Sequence, residues 1–176
     1  MARHSPVGTH LGMIPDRDHL FIGARLSATM LRRSRLSIAY APEVIPILRV
    51  SNNPIYATYP TPVGRYKVEV GRAPVNGFGL SPVGVEALVQ VMRQWQLFGG
   101  GTAGVVWFTR DVPLPDAGEF NYMFDFGGGA EWQYSTRSSL RVGYRFHHLS
   151  NAYRSSVNPG LDAHVISLGF QRSIGR

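Results

Sequence analysis

The sequence predicts an all-β fold, most simply one eight-stranded antiparallel β-barrel with its apolar face outward and a polar lumen. Apolar and polar residues alternate through several runs of roughly ten residues, which is the period of a β-strand. No segment keeps a helical period for long, and no repeat of fixed length is visible. Short turns and longer loops join the runs in alternation, as consecutive antiparallel strands of a barrel require.

The alternating runs give the expected strands in chain order. Residues 1–19 have no regular pattern and are expected to be an irregular segment, whereas residues 20–176 are expected to form a single β-barrel domain. Seven runs are clear: 20–31, 36–40, 83–91, 95–108, 120–134, 140–150 and 162–170. Single-chain bacterial barrels usually have an even number of strands, so an eighth, weak strand is expected within 55–70. Prolines interrupt the pattern on both sides of that stretch.

The choice between a membrane barrel and a soluble, lipocalin-like barrel depends on which face is buried. The polar face carries both charge signs and many glycines, a composition that suits a narrow, internally paired lumen. Its charged and amide residues are Arg25, Glu86, Gln96, Asp125, Glu131, Arg141 and Arg145. Aromatic residues cluster at strand ends, as in the interfacial girdles of membrane barrels. These are Trp95, Trp107, Phe120, Trp132 and Tyr134. The pattern favours the membrane barrel.

The lengths of the connections agree with a membrane barrel whose two termini lie on the same side. With eight strands, the short turns at 93–94 and 135–137 fall on the periplasmic side. The longer segments 110–119 and 151–160 fall on the extracellular side, where longer loops are usual. The end of the run 140–150 therefore lies near the outer rim of the barrel.

The charge balance is strongly basic. Lys and Arg total 18 against 11 acidic residues, a net charge of +7, and Lys67 is the only lysine. Such a surface suits phosphate-bearing partners, either nucleic acid or anionic lipid headgroups, although it can also serve solubility alone. The sequence has no Cys, which excludes disulfides and thiolate metal sites. No apolar h-region of a signal peptide is recognisable near Met1.

The end of the run 140–150 carries the residue types of a nucleophilic site. His148 and Ser150 continue the apolar face of this run, and Asp162 begins the next run. If the two runs pair as a hairpin, the three side chains can meet as nucleophile Ser150, base His148 and orienting acid Asp162. Asn151 is placed to offer an amide donor to a developing oxyanion. From spacing alone, a plain pair of rim residues is the favoured interpretation, because a lone His-x-Ser is common.

The two other histidines of this region have less specific expectations. His147 points to the lumen, where a satisfied hydrogen bond is expected. His164 shares the outward face with Asp162 and is either a substrate contact or an ordinary rim residue. No GxSxG elbow, HExxH helix or phosphate-binding loop occurs in the sequence.

The stretch GYRFHHLSNA at residues 143–152, followed by NPGLD at 158–162, resembles the C-terminal signature of the lipid A 3-O-deacylase (PagL-like) family. Members of this family, also known as acyloxyacyl hydrolases, are eight-stranded outer-membrane barrels of Gram-negative bacteria. The resemblance implies hydrolysis of the ester-linked acyl chain at the 3 position of lipid A. The family's His-x-Ser-Asn falls on His148, Ser150 and Asn151, and its acid, often Glu, falls on Asp162.

The sequence as a whole therefore predicts an outer-membrane esterase that acts on lipid A or lipopolysaccharide by a Ser/His/acid mechanism, as a monomer or homodimer. No metal or other cofactor and no nucleic-acid partner are expected. The first alternative is a non-enzymatic outer-membrane barrel, such as an adhesin or porin-like protein. The second is a soluble lipid-binding barrel, which would have an apolar interior.

Overall fold

The computed structural model describes Ala2–Arg3 and residues 11–174, and it confirms the all-β prediction. The strands are β1 (Ala2–Arg3), β2 (His19–Arg25), β3 (Ala28–Arg33), β4 (Leu36–Tyr40), β5 (Glu43–Thr61), β6 (Gly64–Met92), β7 (Trp95–Phe108), β8 (Phe120–Gln133), β9 (Ser138–Ser150) and β10 (Leu161–Arg172). All of these strands pair antiparallel in one sheet that nearly closes into a barrel. The described residues include no helix that could span a membrane.

The strand count differs from the eight that the sequence predicts. Strands β2 and β3 are separated only by residues 26–27, and β4 and β5 only by residues 41–42. Each pair therefore crosses the barrel wall once, so that β2 to β10 make seven crossings. Strand β1 pairs with β10, at Ala2↔Val165 and Arg3↔His164, and lies beside β2 where the sheet closes. The short β1 thus belongs to the N-terminal stretch that the sequence pattern leaves irregular.

The weak strand expected within 55–70 is wrong as a separate crossing. These residues are instead the ends of β5 and β6, which continue as one hairpin to a turn at residues 62–63. Strand β6 runs unbroken through Pro74 and Pro82 to Met92. Pro82 lies where the register between β6 and β7 shifts, between Leu80 and Val83. At such an irregularity a strand residue does not have to donate a hydrogen bond to its neighbour, so proline is tolerated.

The two ends of the barrel differ in their connections. The turn end carries three short connections, at residues 34–35, 93–94 and 134–137. The loop end carries the tip of the β5–β6 hairpin and the loops 109–119 and 151–160. Residues 11–18 also cross the loop end, since the Met13 N–H donates to the Pro159 carbonyl at 2.8 Å and the Asp18 N–H donates to Ser51 Oγ at 2.9 Å.

The outer wall is apolar and exposed. On β9 and β10, Val142, Ile166 and Leu168 are 56%, 60% and 79% exposed, although each is a large hydrophobic residue. Aromatic pairs lie at both ends of the wall. Trp95 stacks on Trp132 near the turn end, and further pairs near the loop end are Phe78–Trp107 and Trp107–Phe120. A continuous apolar wall of this kind is what a lipid-facing surface requires.

The interior has two halves of different chemistry. Near the loop end, buried apolar side chains fill the lumen: Ile45, Leu48, Val50, Val75, Val106, Phe108, Val112, Met123, Leu149 and Leu161. Toward the turn end lies a cavity of about 1180 Å³, lined by all seven residues that the sequence analysis assigns to the polar face. Paired charges cross this cavity, including Arg25–Glu43 at 2.6 Å and Arg141–Glu86 at 2.7 Å. A polar lumen behind an apolar wall agrees with an outer-membrane barrel and not with the soluble alternative.

Candidate active site

Strands β9 and β10 bring His148 and Asp162 together on the outer wall at the loop end. The two residues are direct register partners, so their side chains project from the same face of the hairpin. His148 Nδ1 lies 2.6 Å from Asp162 Oδ1. Because an ionised carboxylate only accepts hydrogen bonds, this contact makes Nδ1 the donor and leaves Nε2 as the basic ring nitrogen.

Ser150 follows His148 on the same face of β9, one side-chain repeat nearer to the loop end. Its side chain is half-buried, and its hydroxyl makes no hydrogen bond within residues 11–174, including to His148. Catalytic hydrogen bonds are often loose in the absence of substrate and tighten when it binds. The structure therefore joins the base and the acid in direct contact, and it places the serine beside them without that last bond.

Asp162 is buried although its side chain lies on the outward face of β10. Only 1% of its surface is exposed, whereas Ile166 on the same face is 60% exposed. One cover is His148, and a second is Gly12, whose added Cβ would lie 2.6 Å from Asp162 Cγ. The sequence pattern had no signal for Gly12, because the contact joins residues 150 positions apart.

Residues 11–18, which we call the strap, are fixed at several points of the loop end. Beyond the bonds of Met13 and Asp18, Asn52 Nδ2 donates to the Asp16 carbonyl at 3.2 Å. Arg17 is buried, with Nη1 donating to the Asp16 carbonyl at 3.3 Å. Burial, and next the charge of Arg72, lowers the pKa of the Arg17 guanidinium. The strap is thus an integral part of the loop end.

Asn151 is occupied in holding the loops together. Its Nδ2 donates to the carbonyls of Ala117 at 2.7 Å and Val157 at 2.6 Å, and its Oδ1 accepts from the Tyr153 N–H at 2.9 Å. Its backbone N–H donates to Asn158 Oδ1 at 3.1 Å. None of its donors is therefore free to meet an oxyanion in this conformation, and the oxyanion role that the sequence suggests stays a prediction.

Arg154 is a cation near the site that the sequence analysis did not single out. Its guanidinium lies 5.0 Å from the centre of the Phe120 ring, and its Nη1 lies 3.4 Å from the Tyr122 hydroxyl. Tyr122 is the register partner of Ser150 on β8. Arg154 is exposed, so this charge is held by aromatic contacts on the outer wall beside the serine.

His147 and His164, the two other histidines of this region, lie on the faces that the alternation predicts. His147 is fully buried in the lumen, with Nδ1 at 2.9 Å from Asp125 Oδ1. His164 is exposed on the outer wall, stacks on Tyr144, and has Nδ1 at 2.6 Å from the Tyr144 hydroxyl. Residues 11–174 hold no group of three or more His, Asp or Glu side chains that could bind a metal ion.

A hydrogen-bonded histidine and acid beside a serine, on the apolar wall of a barrel, define a class of site suited to an ester held in lipid. The comparison with known families agrees with this class. The model of the PagL family, lipid A 3-O-deacylase, matches residues 44–171, and the chain belongs to that family. No curated protein and no solved structure matched the chain. The matched region contains His148, Ser150, Asn151 and Asp162, and it leaves out β2 to β4 and the strap.

Proposed function

We propose that this protein is an outer-membrane esterase that removes the ester-linked acyl chain at the 3 position of lipid A. The observation that carries the proposal is the 2.6 Å hydrogen bond between His148 and Asp162 on the apolar wall beside Ser150. The family match supports the substrate class, since its description is lipid A 3-O-deacylase. The exposed apolar wall and its aromatic pairs support placement in the outer membrane, with the loop end toward the cell exterior.

In the proposed reaction, Ser150 is the nucleophile and His148 the base. Ser150 Oγ attacks the ester carbonyl while His148 Nε2 takes the hydroxyl proton, and Asp162 stabilises the imidazolium that forms. The tetrahedral intermediate collapses, and His148 returns the proton to the departing 3-hydroxyl of the sugar. Water activated by His148 then attacks the acyl-serine, which releases the fatty acid and restores Ser150.

The oxyanion of each tetrahedral intermediate needs hydrogen-bond donors. Asn151 is the donor that we propose, and its occupied amide implies that substrate binding exchanges one of its loop bonds, to Ala117 or Val157, for the oxyanion. Because these two bonds tie loops 109–119 and 151–160 together, such an exchange would couple substrate entry to a rearrangement of the loop end.

Arg154 is the residue that we propose to contact a phosphate of the lipid A headgroup. It is exposed near the serine and is already desolvated on one face by Phe120. A guanidinium matches phosphate geometry through paired N–H donors. The net positive charge of the chain would then have a specific role at the loop end, where Arg154 would meet lipid phosphates and not nucleic acid.

The test is acyl release from purified lipid A by the refolded protein in detergent, followed by mass spectrometry. The wild type should produce lipid A that lacks the 3-linked chain. Ser150→Ala should reduce the rate by roughly three orders of magnitude or more, as loss of a triad nucleophile does. Ser156→Ala, in the same loop region, is the matched control and should retain the activity of the wild type.

Other results would overturn parts of this proposal. Equal release by Ser150→Ala and the wild type would remove Ser150 from the mechanism. If heat-modifiable electrophoretic mobility shows that the wild type is folded and it still releases nothing, the non-enzymatic barrel becomes the better interpretation. A protein that stays soluble after refolding without detergent would contradict the membrane placement.

A further inference from the structure

The strap crosses directly behind the acid of the candidate site. A Cβ added at Gly12 would lie 2.6 Å from Asp162 Cγ, 2.7 Å from Asp162 Oδ1 and 2.7 Å from the Asp162 backbone nitrogen. Heavy atoms of that kind do not approach so closely, so any residue other than glycine at position 12 must displace the strap or the carboxylate. The strand backbone of Asp162 is held in register with β9 and cannot move freely.

A second glycine allows the same approach from the side of β10. Gly160 has φ +64°, and a Cβ on it would clash with the Leu11 carbonyl oxygen and lie 3.2 Å from Gly12 Cα. The neighbouring Met13 N–H donates to the Pro159 carbonyl at 2.8 Å. Two glycines and one backbone hydrogen bond thus lock the strap against the chain that leads into Asp162.

We infer that the strap, through Gly12, is a positioning element that fixes the Asp162 carboxylate against His148 and keeps water from it. A carboxylate removed from water makes a stronger hydrogen bond to an imidazolium than a solvated one. The same contact restricts the rotation of the short Asp side chain, which holds Oδ1 on His148 Nδ1. The catalytic meaning of this inference rests on the proposed function, whereas the positioning itself does not.

The strap lies outside the family match, which begins at residue 44, and positioning Asp162 would be its role in the protein. It also explains the contrast in exposure along the outward face of β10, where Ile166 is open and Asp162 is sealed. Gly12 touches no substrate in this scheme, so it is a positioning residue and not a catalytic one.

The experiment compares Gly12→Ala with Gly71→Ala, a glycine of β6 that has open space where its Cβ would be. Gly12→Ala should lower kcat for lipid A deacylation by about tenfold to a hundredfold, the usual effect of a misplaced catalytic group. Its KM should stay within about twofold of the wild type, because the substrate contacts are intact. Gly71→Ala should match the wild type in both constants.

A second readout needs no substrate. The Nδ1 proton of His148, assigned by its loss in His148→Asn, should resonate far downfield in the NMR spectrum of the wild type in micelles. Gly12→Ala should shift this resonance upfield or abolish it, and Gly71→Ala should not. If the wild type is inactive on lipid A but Gly12→Ala still shifts the resonance, the proposed function is refuted and the strap inference is retained. An unchanged resonance and an unchanged kcat in Gly12→Ala would overturn the inference.

Met13→Pro keeps the inference testable if Gly12→Ala fails to fold. This variant removes the N–H that donates to Pro159 and leaves Gly12 in place. It should lower kcat severalfold with the same upfield shift of the His148 proton. A Met13→Pro protein with the wild-type resonance and the wild-type kcat would show that the strap does not hold the acid.

Discussion

Two adjacent histidines of β9 make the same hydrogen bond in opposite surroundings. His147 and His148 each place Nδ1 against an aspartate oxygen, at 2.9 Å from Asp125 and 2.6 Å from Asp162. Because neighbouring side chains of a strand point to opposite faces, the first pair lies in the lumen and the second on the outer wall. The two pairs therefore show which properties come from the hydrogen bond itself and which come from its location.

The base of the lumenal pair is buried, and no hydroxyl among residues 11–174 bonds its Nε2. The His147 ring is wholly buried against the rings of His19 and Phe21. The Thr102 hydroxyl donates to the acid of this pair at 3.4 Å and does not contact the base. The wall pair has Ser150 beside its base and 17% of the His148 side chain exposed. A histidine–acid bond therefore becomes a candidate for chemistry only where a hydroxyl and a substrate can both reach the free ring nitrogen.

The largest expected effect comes from breaking the two pairs in turn. His148→Asn should lower kcat/KM for lipid A by about a thousandfold or more, because the base is lost, while the barrel still folds. His147→Asn should change kcat/KM by no more than a few-fold. It should lower the free energy of unfolding by about 1–3 kcal/mol, since the Asp125 carboxylate loses a buried partner. Kinetics and urea unfolding of both variants measure this; the reverse pattern would place the chemistry in the lumen.

A smaller effect should follow from lengthening the acid of the wall pair. Asp162→Glu adds a methylene where Gly12 already touches the carboxylate group, so the longer side chain must rotate away from His148. We expect kcat to fall by about tenfold, the cost of a catalytic contact displaced by a fraction of an ångström. The matched change on the lumenal acid, Asp125→Glu, should leave kcat near that of the wild type. Full activity of Asp162→Glu would mean that the site has room for either acid.

The smallest effect concerns Arg154, the exposed cation beside the wall site. Arg154→Gln should raise KM for lipid A only severalfold with little change in kcat, as expected when one exposed charged hydrogen bond to a phosphate is lost. Arg65→Gln, an exposed arginine at the tip of the β5–β6 hairpin, is the control. The effect should also shrink as salt is added. Identical KM values for the two variants would contradict a phosphate contact at Arg154.

The sequence predicts the barrel best where one face meets lipid and the other meets the lumen. Strands β7 to β10 fall within two residues of the alternating runs, because burial differs between their two faces. Residues 50–82 gave little signal, and around the tip of the hairpin there is a physical reason. The β5–β6 hairpin extends beyond the wall, where both of its faces meet solvent, and residues such as Tyr59, Val63 and Tyr66 are exposed without regard to parity.

For the site, the sequence spacing predicts which residues share a face, and the structure shows which groups contact those residues. The alternation and the hairpin placed His148 beside Asp162 without any tertiary information. The alternation could not show that the side chain of Asn151 turns into the loops, because the first residue after a strand has no fixed face. Nor could it show Gly12, because a glycine contact leaves no periodic pattern in the sequence.

The two halves of the interior also determine what crosses the barrel. A solute that enters the cavity from the turn end meets paired charges and then the apolar side chains at the level of Val50, Val106 and Leu149. In the part of the chain that the structure describes, those buried side chains leave no continuous aqueous route to the loop end. In a bilayer the protein should therefore be electrically silent, with no unitary conductance. Because the proposed reaction takes place on the outer wall, a closed lumen would not interfere with it.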